Sequence, residues 1–477
     1  MAEISRPELC IVGAGALGIA LAQHARRLGA EVTLVDRGHA EPGDGPARAL
    51  RLAALSASAS AAQSMRRGSV LGLTDTIPKI GMKAVQERAD RLAAEQAPLS
   101  SPERLTALGI TMLRGETRFI DAATLSVGDI QIRPQAFILA LGAETMVPQI
   151  AGLDEAGFFT PDSIVENGRK LTHLLIIGGH PEGLVLAQAF ARLGSEVTLV
   201  PQGEVLTGFD IEAASILMQA LRDEGVRVIE GGVVETIVPR SQGIGAVVGL
   251  TEGGQSMLDV SHILVAGGVQ PNIGALALDA ARLRPLRAKA GQFAIGALGQ
   301  TSNRRIRVVG TAAGREQWQH ALSHGRAVVE ALILGTPAHR PAAQPLVVQT
   351  EPALAQIGLW PADGAKLAAG HAIFRAGFEG NAMARALGQH RGLVKILTDP
   401  KGHILAASLA GPDAGELAGV LALAMERGLP LGDMAGLSLP HPSLMTVLAQ
   451  LGENQREAQS VSSFARYVGA LRRNMGL

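Results

Sequence analysis

The residues with most chemistry to offer are the glycines of Gly13-Ala14-Gly15-Ala16-Leu17-Gly18, with Asp36 about 20 residues further on. Gly13 permits a tight turn, Gly15 lets the backbone close on a pyrophosphate, and Gly18 lets a following helix pack on the preceding strand. That helix turns unpaired N–H groups and a positive dipole end toward a phosphate. Asp36 can accept hydrogen bonds from a ribose diol. A second loop, Gly178-Gly179-His180-Pro181-Glu182-Gly183, repeats the pattern with an imidazole at the middle glycine position. Toward the C-terminus, Leu439-Pro440-His441-Pro442-Ser443 sets His441 between two prolines, where it can act as a general acid or as a turn residue. Cys10 is the only cysteine, which rules out an intramolecular disulfide and makes a thiol-based metal site implausible.

Parallel strands and helices must position these groups. Leu9 to Val12 is a continuous apolar run of the kind covered on both faces in a parallel sheet. A helix over Ile19 to Leu28 and a strand over Glu31 to Asp36 complete a βαβ start. Leu174 to Ile177, a helix over Leu184 to Leu193 and the strand Glu196 to Val200 form a second. Arg27 to Val35 and Arg192 to Val200 read as an internal repeat. Phe137 to Ala143, Ile263 to Gly268 and Ile306 to Val309 are buried strands ending in turns, the last followed by a helix from Ala321 to Leu334. The alanine- and serine-rich run Ala53 to Ser64 is read as helix, because alanine is the strongest helix former. The Pro-rich stretch Arg340 to Pro345 is a linker. Beyond it, strands Leu393 to Leu397 and Ile404 to Leu409 and a helix Gly415 to Arg427 suggest an α+β domain.

Composition narrows the classes. The 43 basic residues balance 43 acidic ones without a basic block, so neither nucleic acid nor an anionic membrane surface is expected as partner. Apolar stretches such as Val420 to Met425 fall far short of a membrane span. Met1 to Glu8 lacks the profile of a signal peptide, which leaves a cytoplasmic protein as the default.

The motifs Gly13–Asp36, Ala140–Ala143, Gly178–Val200, Gly268–Asn272, Thr350-Glu351-Pro352, Gly411–Glu416 and His441-Pro442 together resemble the pyridine nucleotide–disulfide oxidoreductases. That is the family of dihydrolipoamide dehydrogenase, glutathione reductase and mercuric reductase. The resemblance implies an α/β fold with two Rossmann-like domains and a C-terminal α+β dimerisation domain. It places the first part of an FAD domain at 1–150, an NAD(P)-binding-like domain at 151–270, the FAD return segment at 271–340, and the dimerisation domain at 341–477. It implies that Gly13, Gly15, Ala16, Gly18 and Asp36 hold the ADP half of FAD, with Ala140 and Gly142 beside it. Gly310 and Thr311 stand where relatives carry Gly-Asp against the ribityl chain. Gly178 and Gly183 belong to the second nucleotide loop. A homodimer would bring His441 to the partner's flavin.

The departures from the family fall on the reactive positions. Relatives carry a Cys-x4-Cys segment before a helix start matched here by Pro46-Ala47-Arg48-Ala49-Leu50. The loop Ala40 to Gly45 is short, and Asp44 stands in place of the second cysteine. Thiol–disulfide chemistry is therefore excluded at this site. Arg48 replaces the family lysine, and its usual carboxylate partner is Val185, so the pair is read as lost as a unit. Thr446 replaces the glutamate that orients His441. In the second loop, His180 crowds a pyrophosphate or else donates to one, and Pro201 replaces the ribose-binding acid. NAD(P) is thus a doubtful second ligand, with NAD ahead of NADP. Two readings follow. One is an FAD-dependent oxidoreductase passing electrons from NAD(P)H to a non-disulfide small-molecule acceptor, with His441, Arg48 and Asp44 as candidate catalytic groups. The other is a non-catalytic dimeric homologue with a binding or regulatory role. A true disulfide reductase is disfavoured, since Cys10 lies within the first strand.

Overall fold

The computed structural model describes residues 4–38, 44–274, 276–284, 286, 292–336, 344–361 and 366–458. These form two compact units, one of residues 1–69, 74–205 and 224–341 and the other of 70–73, 206–223 and 342–477.

The first unit holds both glycine loops. Its larger parallel sheet contains β1 (Leu9–Val12), β2 (Val32–Asp36), β3 (Ile110–Arg114), β4 (Ala136–Leu139) and a late strand β9 (Ile306–Val308). The order is β9-β4-β1-β2-β3, with Leu9 opposite Val32 on one side and Ala136 on the other. Every residue of β1 and β2 is buried, one face under helices and the other against short strands carrying Phe119, Leu125, Val127 and Ile132. Helix α1 (Ala16–Arg27) crosses from β1 to β2 and buries Gly18, Ile19, Leu21, Ala22 and Ala25 on one face. It starts three residues before the expected Ile19, because the loop turns straight into the helix at Gly15. Helix α4 (Trp318–Leu334) lies against α1 at a glycine: a Cβ on Gly325 would come within 2.8 Å of Leu21.

The alanine-rich run falls within α2 (Asp44–Arg66), a single 23-residue helix burying Ala54, Leu55, Ala59 and Ala62. Asp44 and Gly45, expected in the preceding loop, open this helix. Ala40 to Gly43 lie outside the described residues.

A second parallel sheet contains β5 (His173–Ile177), β6 (Glu196–Val200), β7 (Arg227–Val228) and β8 (His262–Val265), in the order β7-β6-β5-β8. Its crossover helix α3 (Pro181–Arg192) begins three residues before the expected Leu184, with Pro181 at the position where a missing N–H costs nothing. α3 is apolar nearly all round, and α2 packs on it. Arg192, only 4% exposed, is answered at 2.7 Å by Glu224.

The C-terminal unit is an antiparallel five-stranded sheet with outer strands Leu346–Val348 and Ala372–Gly377, backed by the helix Ala414–Glu426. Leu417, Ala418 and Leu421 bury that helix's inner face. Residues 206–223, including the helix Ile211–Asp223, belong to this unit: Lys395 Nζ lies 2.5 Å from Asp210 and is bonded to it. No helix among the described residues is long and apolar enough to cross a membrane.

His324 sits on the buried face of α4, 7% exposed, with the Ala297 backbone as its one weak polar neighbour among the described residues. Burial, and then the charge of Arg315, push its pKa from an ordinary 6.5 down to about 4, offset only in part by the Ala297 backbone. Above pH 6.5 the ring is neutral in both folded and unfolded chains. As pH falls from 6.5 toward 4, the unfolded chain takes up a proton that the folded one refuses, so stability drops, by at most about 3 kcal/mol. Urea unfolding across this range should show the loss, and His324→Leu should flatten it.

Candidate functional site

The first crossover is built on two close backbone approaches. Gly13 adopts φ +114°, and a Cβ there would lie 2.1 Å from the Ala140 carbonyl oxygen; one on Gly18 would lie 1.8 Å from the Gly13 carbonyl oxygen. The Gly13 N–H donates to Val35 at 2.9 Å, and the Ala140 N–H donates to Val12 at 2.9 Å. Strand ends, loop and helix are thereby locked together. Ala140 and Gly142 stand beside the loop as expected, Gly142 in the left-handed region at φ +70°.

Gly15 caps α1 in an extended conformation with no side-chain cap. A Cβ at Gly15 would find no heavy atom within 4 Å, so the space in front of it is open. Ala16 begins the helix, whose first turn contains no acid. The positive end of α1 thus faces open space with its N–H groups uncommitted, the arrangement an anion requires.

Asp36 ends β2 at 5% exposure. Its Oδ1 accepts from the Gly38 N–H at 2.8 Å. Its Oδ2 lies 3.3 Å from Arg114 Nε but receives no hydrogen bond from the described residues, which leaves a buried carboxylate oxygen in need of donors. A ribose diol supplies two. The open cradle at Gly15 and the orphaned oxygen at Asp36 together fit the ADP half of FAD.

The return segment completes this edge. A Cβ on Gly310, at φ +68°, would come within 3.0 Å of Leu17 on α1, so the turn carrying Gly310 and Thr311 lies against the glycine loop. Gly13, Gly15, Ala16, Gly18, Asp36, Ala140, Gly142, Gly310 and Thr311 therefore share one sheet edge. Sequence reasoning missed Arg315 just beyond them. Its buried Nε has no hydrogen-bond partner among the described residues, and burial lowers its pKa. A charged residue following the glycine turn of the last strand was the available signal.

The second crossover repeats the geometry of the first. Gly178 adopts φ +111°, with a would-be Cβ 2.4 Å from the Ala266 carbonyl oxygen, and Gly183 would meet the Ala266 methyl at 2.8 Å. What fills the space in front differs. His180 caps α3 where Gly15 caps α1, and its Nε2 lies 3.7 Å from a Glu316 carboxylate oxygen. Pro201 is buried at the end of β6, packed on Gly179.

The candidate catalytic groups separate. Arg48 is not left without a carboxylate, which corrects the expectation drawn from Val185. Its two terminal nitrogens donate to Glu182 at 3.2 and 2.7 Å, and its Nε pairs with Asp162. The partner has moved along α3 by three residues, about one turn, so the ion pair survives while Val185 joins the core. Burial opposes the Arg48 charge, but the two carboxylates outweigh it and raise its pKa. Asp44 is the first residue of α2, and its side chain lies outside the described set. His441 is exposed in the C-terminal unit, without a hydrogen-bond or ion-pair partner among the described residues. Thr446 does not face an imidazole: its hydroxyl accepts from Asn381 at 2.8 Å and donates to the Ser443 carbonyl at 2.9 Å.

Three measurements test this geometry. Asp36→Ala should weaken FAD binding about tenfold to a hundredfold, the range for a hydrogen bond to a charged group, and Gly13→Ala should abolish FAD retention on gel filtration. A double-mutant cycle on Arg48 and Glu182, each about 30% exposed, should give a coupling near 1 kcal/mol in thermal unfolding.

Comparison with known proteins agrees with this architecture. The sequence pattern described as pyridine nucleotide-disulphide oxidoreductase matches residues 7–325, and that of the corresponding dimerisation domain matches residues 344–451. Similar proteins include the mercuric reductase of Lysinibacillus sphaericus, 25% identical over 454 residues that cover 91% of this chain and 80% of the relative. The dihydrolipoyl dehydrogenase of Thermus scotoductus is 30% identical over 354 residues, covering 72% of this chain and 75% of the relative. Among solved structures, the HOCl-induced flavoprotein disulfide reductase RclA from Escherichia coli has the same fold, with a TM-score of 0.80 at 23% identity over 94% of this chain and 99% of that one. With both patterns matched in order along most of its length, this chain belongs to the pyridine nucleotide-disulphide oxidoreductase family, whose FAD cofactor its first crossover fits.

Proposed function

We propose that this protein is an FAD-dependent oxidoreductase that takes electrons from NAD(P)H and delivers them to a small-molecule acceptor other than a disulfide. One combination carries the reading: an intact first crossover with an orphaned oxygen on Asp36, in a chain whose sole cysteine is sealed within β1. Cys10 is fully buried, and burial pushes its thiol far above the ordinary range, so a reactive thiolate is inaccessible there.

Bound FAD would supply hydride acceptance and one-electron transfer without a thiol relay. The chain's own residues divide the remaining work. The N-terminus of α1 would hold the pyrophosphate, Asp36 the adenosine ribose, and Thr311 a hydroxyl of the ribityl chain. Arg48, fixed by Glu182 and Asp162, supplies a permanent positive charge. His441 and Asp44 are the candidates for moving protons. A quinone, a dye-like oxidant, oxygen or a second nucleotide suits such a site as acceptor. The match to a dimerisation domain supports a homodimer, and we place the protein in the cytoplasm.

The test is purification without added cofactor, followed by a visible spectrum and anaerobic addition of NADH or NADPH. A flavin spectrum that bleaches with either nucleotide is expected. A flavin spectrum that neither nucleotide changes defeats the reading, and a colourless protein that takes up no added FAD favours the non-catalytic dimeric homologue.

A further inference from the structure

We infer that the second crossover is an anion seat filled by the chain itself, so that His180 and Glu182 set a low affinity for NADH and NADPH alike. This rests on the proposed function in that the pyridine nucleotide is the electron donor.

At the first, the helix N-terminus has no acid in its first turn and open space before its capping glycine. At the second, both features are reversed and one N–H donor is missing. Glu182 stands in the first turn of α3, a carboxylate where the helix dipole favours negative charge. Its charge is already matched by Arg48, so neither group is left seeking a phosphate. Pro181 removes one of the N–H groups that an ordinary seat offers.

The third difference is His180. Its ring lies near the loop after β8, where a Cβ on Gly268 would be 3.8 Å from His180 Cδ2, and it reaches Glu316 at 3.7 Å on the segment leading into α4. The side chain therefore spans the space in front of the helix that Gly15 leaves empty in the first crossover. A pyrophosphate entering as it does beside Gly15 would displace this imidazole and approach the Glu182 carboxylate. Beyond it, Pro201 offers no acceptor to a ribose diol, and the following Gln202, Gly203 and Glu204 carry no cation for a 2′-phosphate. The obstruction is common to both nucleotides, and the Glu204 carboxylate disfavours a 2′-phosphate, so NADP+ should bind no tighter than NAD+.

Calorimetric titration of the FAD-loaded protein with NAD+ and NADP+ tests this without reading turnover. The expected half-saturation is about 1 mM for both. His180→Gly should bind at least about tenfold tighter, and His180→Ala, which keeps the Cβ, should fall between. Glu182→Gln removes the competing charge while Asp162 still holds Arg48, and should tighten binding severalfold. Low-micromolar binding by the unaltered protein overturns the inference. So does weaker or unchanged binding in both His180 variants, which would make the imidazole a phosphate ligand or a bystander. Melting curves show whether each variant is folded. If the protein holds no FAD, the proposed function fails, whereas the same titration on the FAD-free protein still reads the seat.

Discussion

The backbone-on-backbone contact at the head of each crossover governs the rest of the first unit. Where β1 gives way to α1, the Gly13 backbone lies so close to the Ala140 carbonyl that no side chain can intervene. The contact at Gly178 and Ala266 is its counterpart in the second sheet. These approaches fix the direction in which each helix leaves its strand, and hence the place where its N-terminal N–H groups converge. Close packing makes that direction stiff, since interiors deform little without losing contacts.

Given that shared scaffold, the two crossovers diverge through electrostatics and volume at very few positions. Gly15 and His180 occupy equivalent caps, and Asp36 and Pro201 equivalent strand ends. The fold depends on the glycines at the turn and on the helix–strand contact, which both crossovers retain. The middle position and the strand end, which face a ligand's side of the loop, are where the two differ. Architecture and ligand contacts can therefore vary independently, because different residues carry the two.

Much of the fold was legible in the sequence because it rests on local patterns. Continuous apolar runs marked β1 and β5, and the repeat of Arg27 to Val35 in Arg192 to Val200 marked the duplicated unit. Helix starts were misjudged by three residues at α1 and α3, since both helices begin at loop residues that carry no apolar signal of their own. The first site was legible for the same local reason: its glycines and Asp36 lie within one βαβ unit. Arg48 was not. Its partner was sought at the family position, Val185, and only the packing of α2 on α3 brings Glu182 into reach. The approach of His180 to Glu316 is likewise invisible without the fold, because it joins the second sheet's crossover to the segment before α4.

The placement of Cys10 also separates this chain from the thiol redox balance of its surroundings. A thiol with no exposed surface in a central strand cannot exchange with glutathione, form a mixed disulfide or be driven along the sulfenic and sulfinic series without local unfolding. A pair of reactive cysteines ties an enzyme's working state to the ambient thiol potential and makes it a target for electrophiles and soft metal ions. A chain whose lone thiol is sealed inside β1 carries neither dependence through cysteine, which leaves only its methionine thioethers open to oxidants.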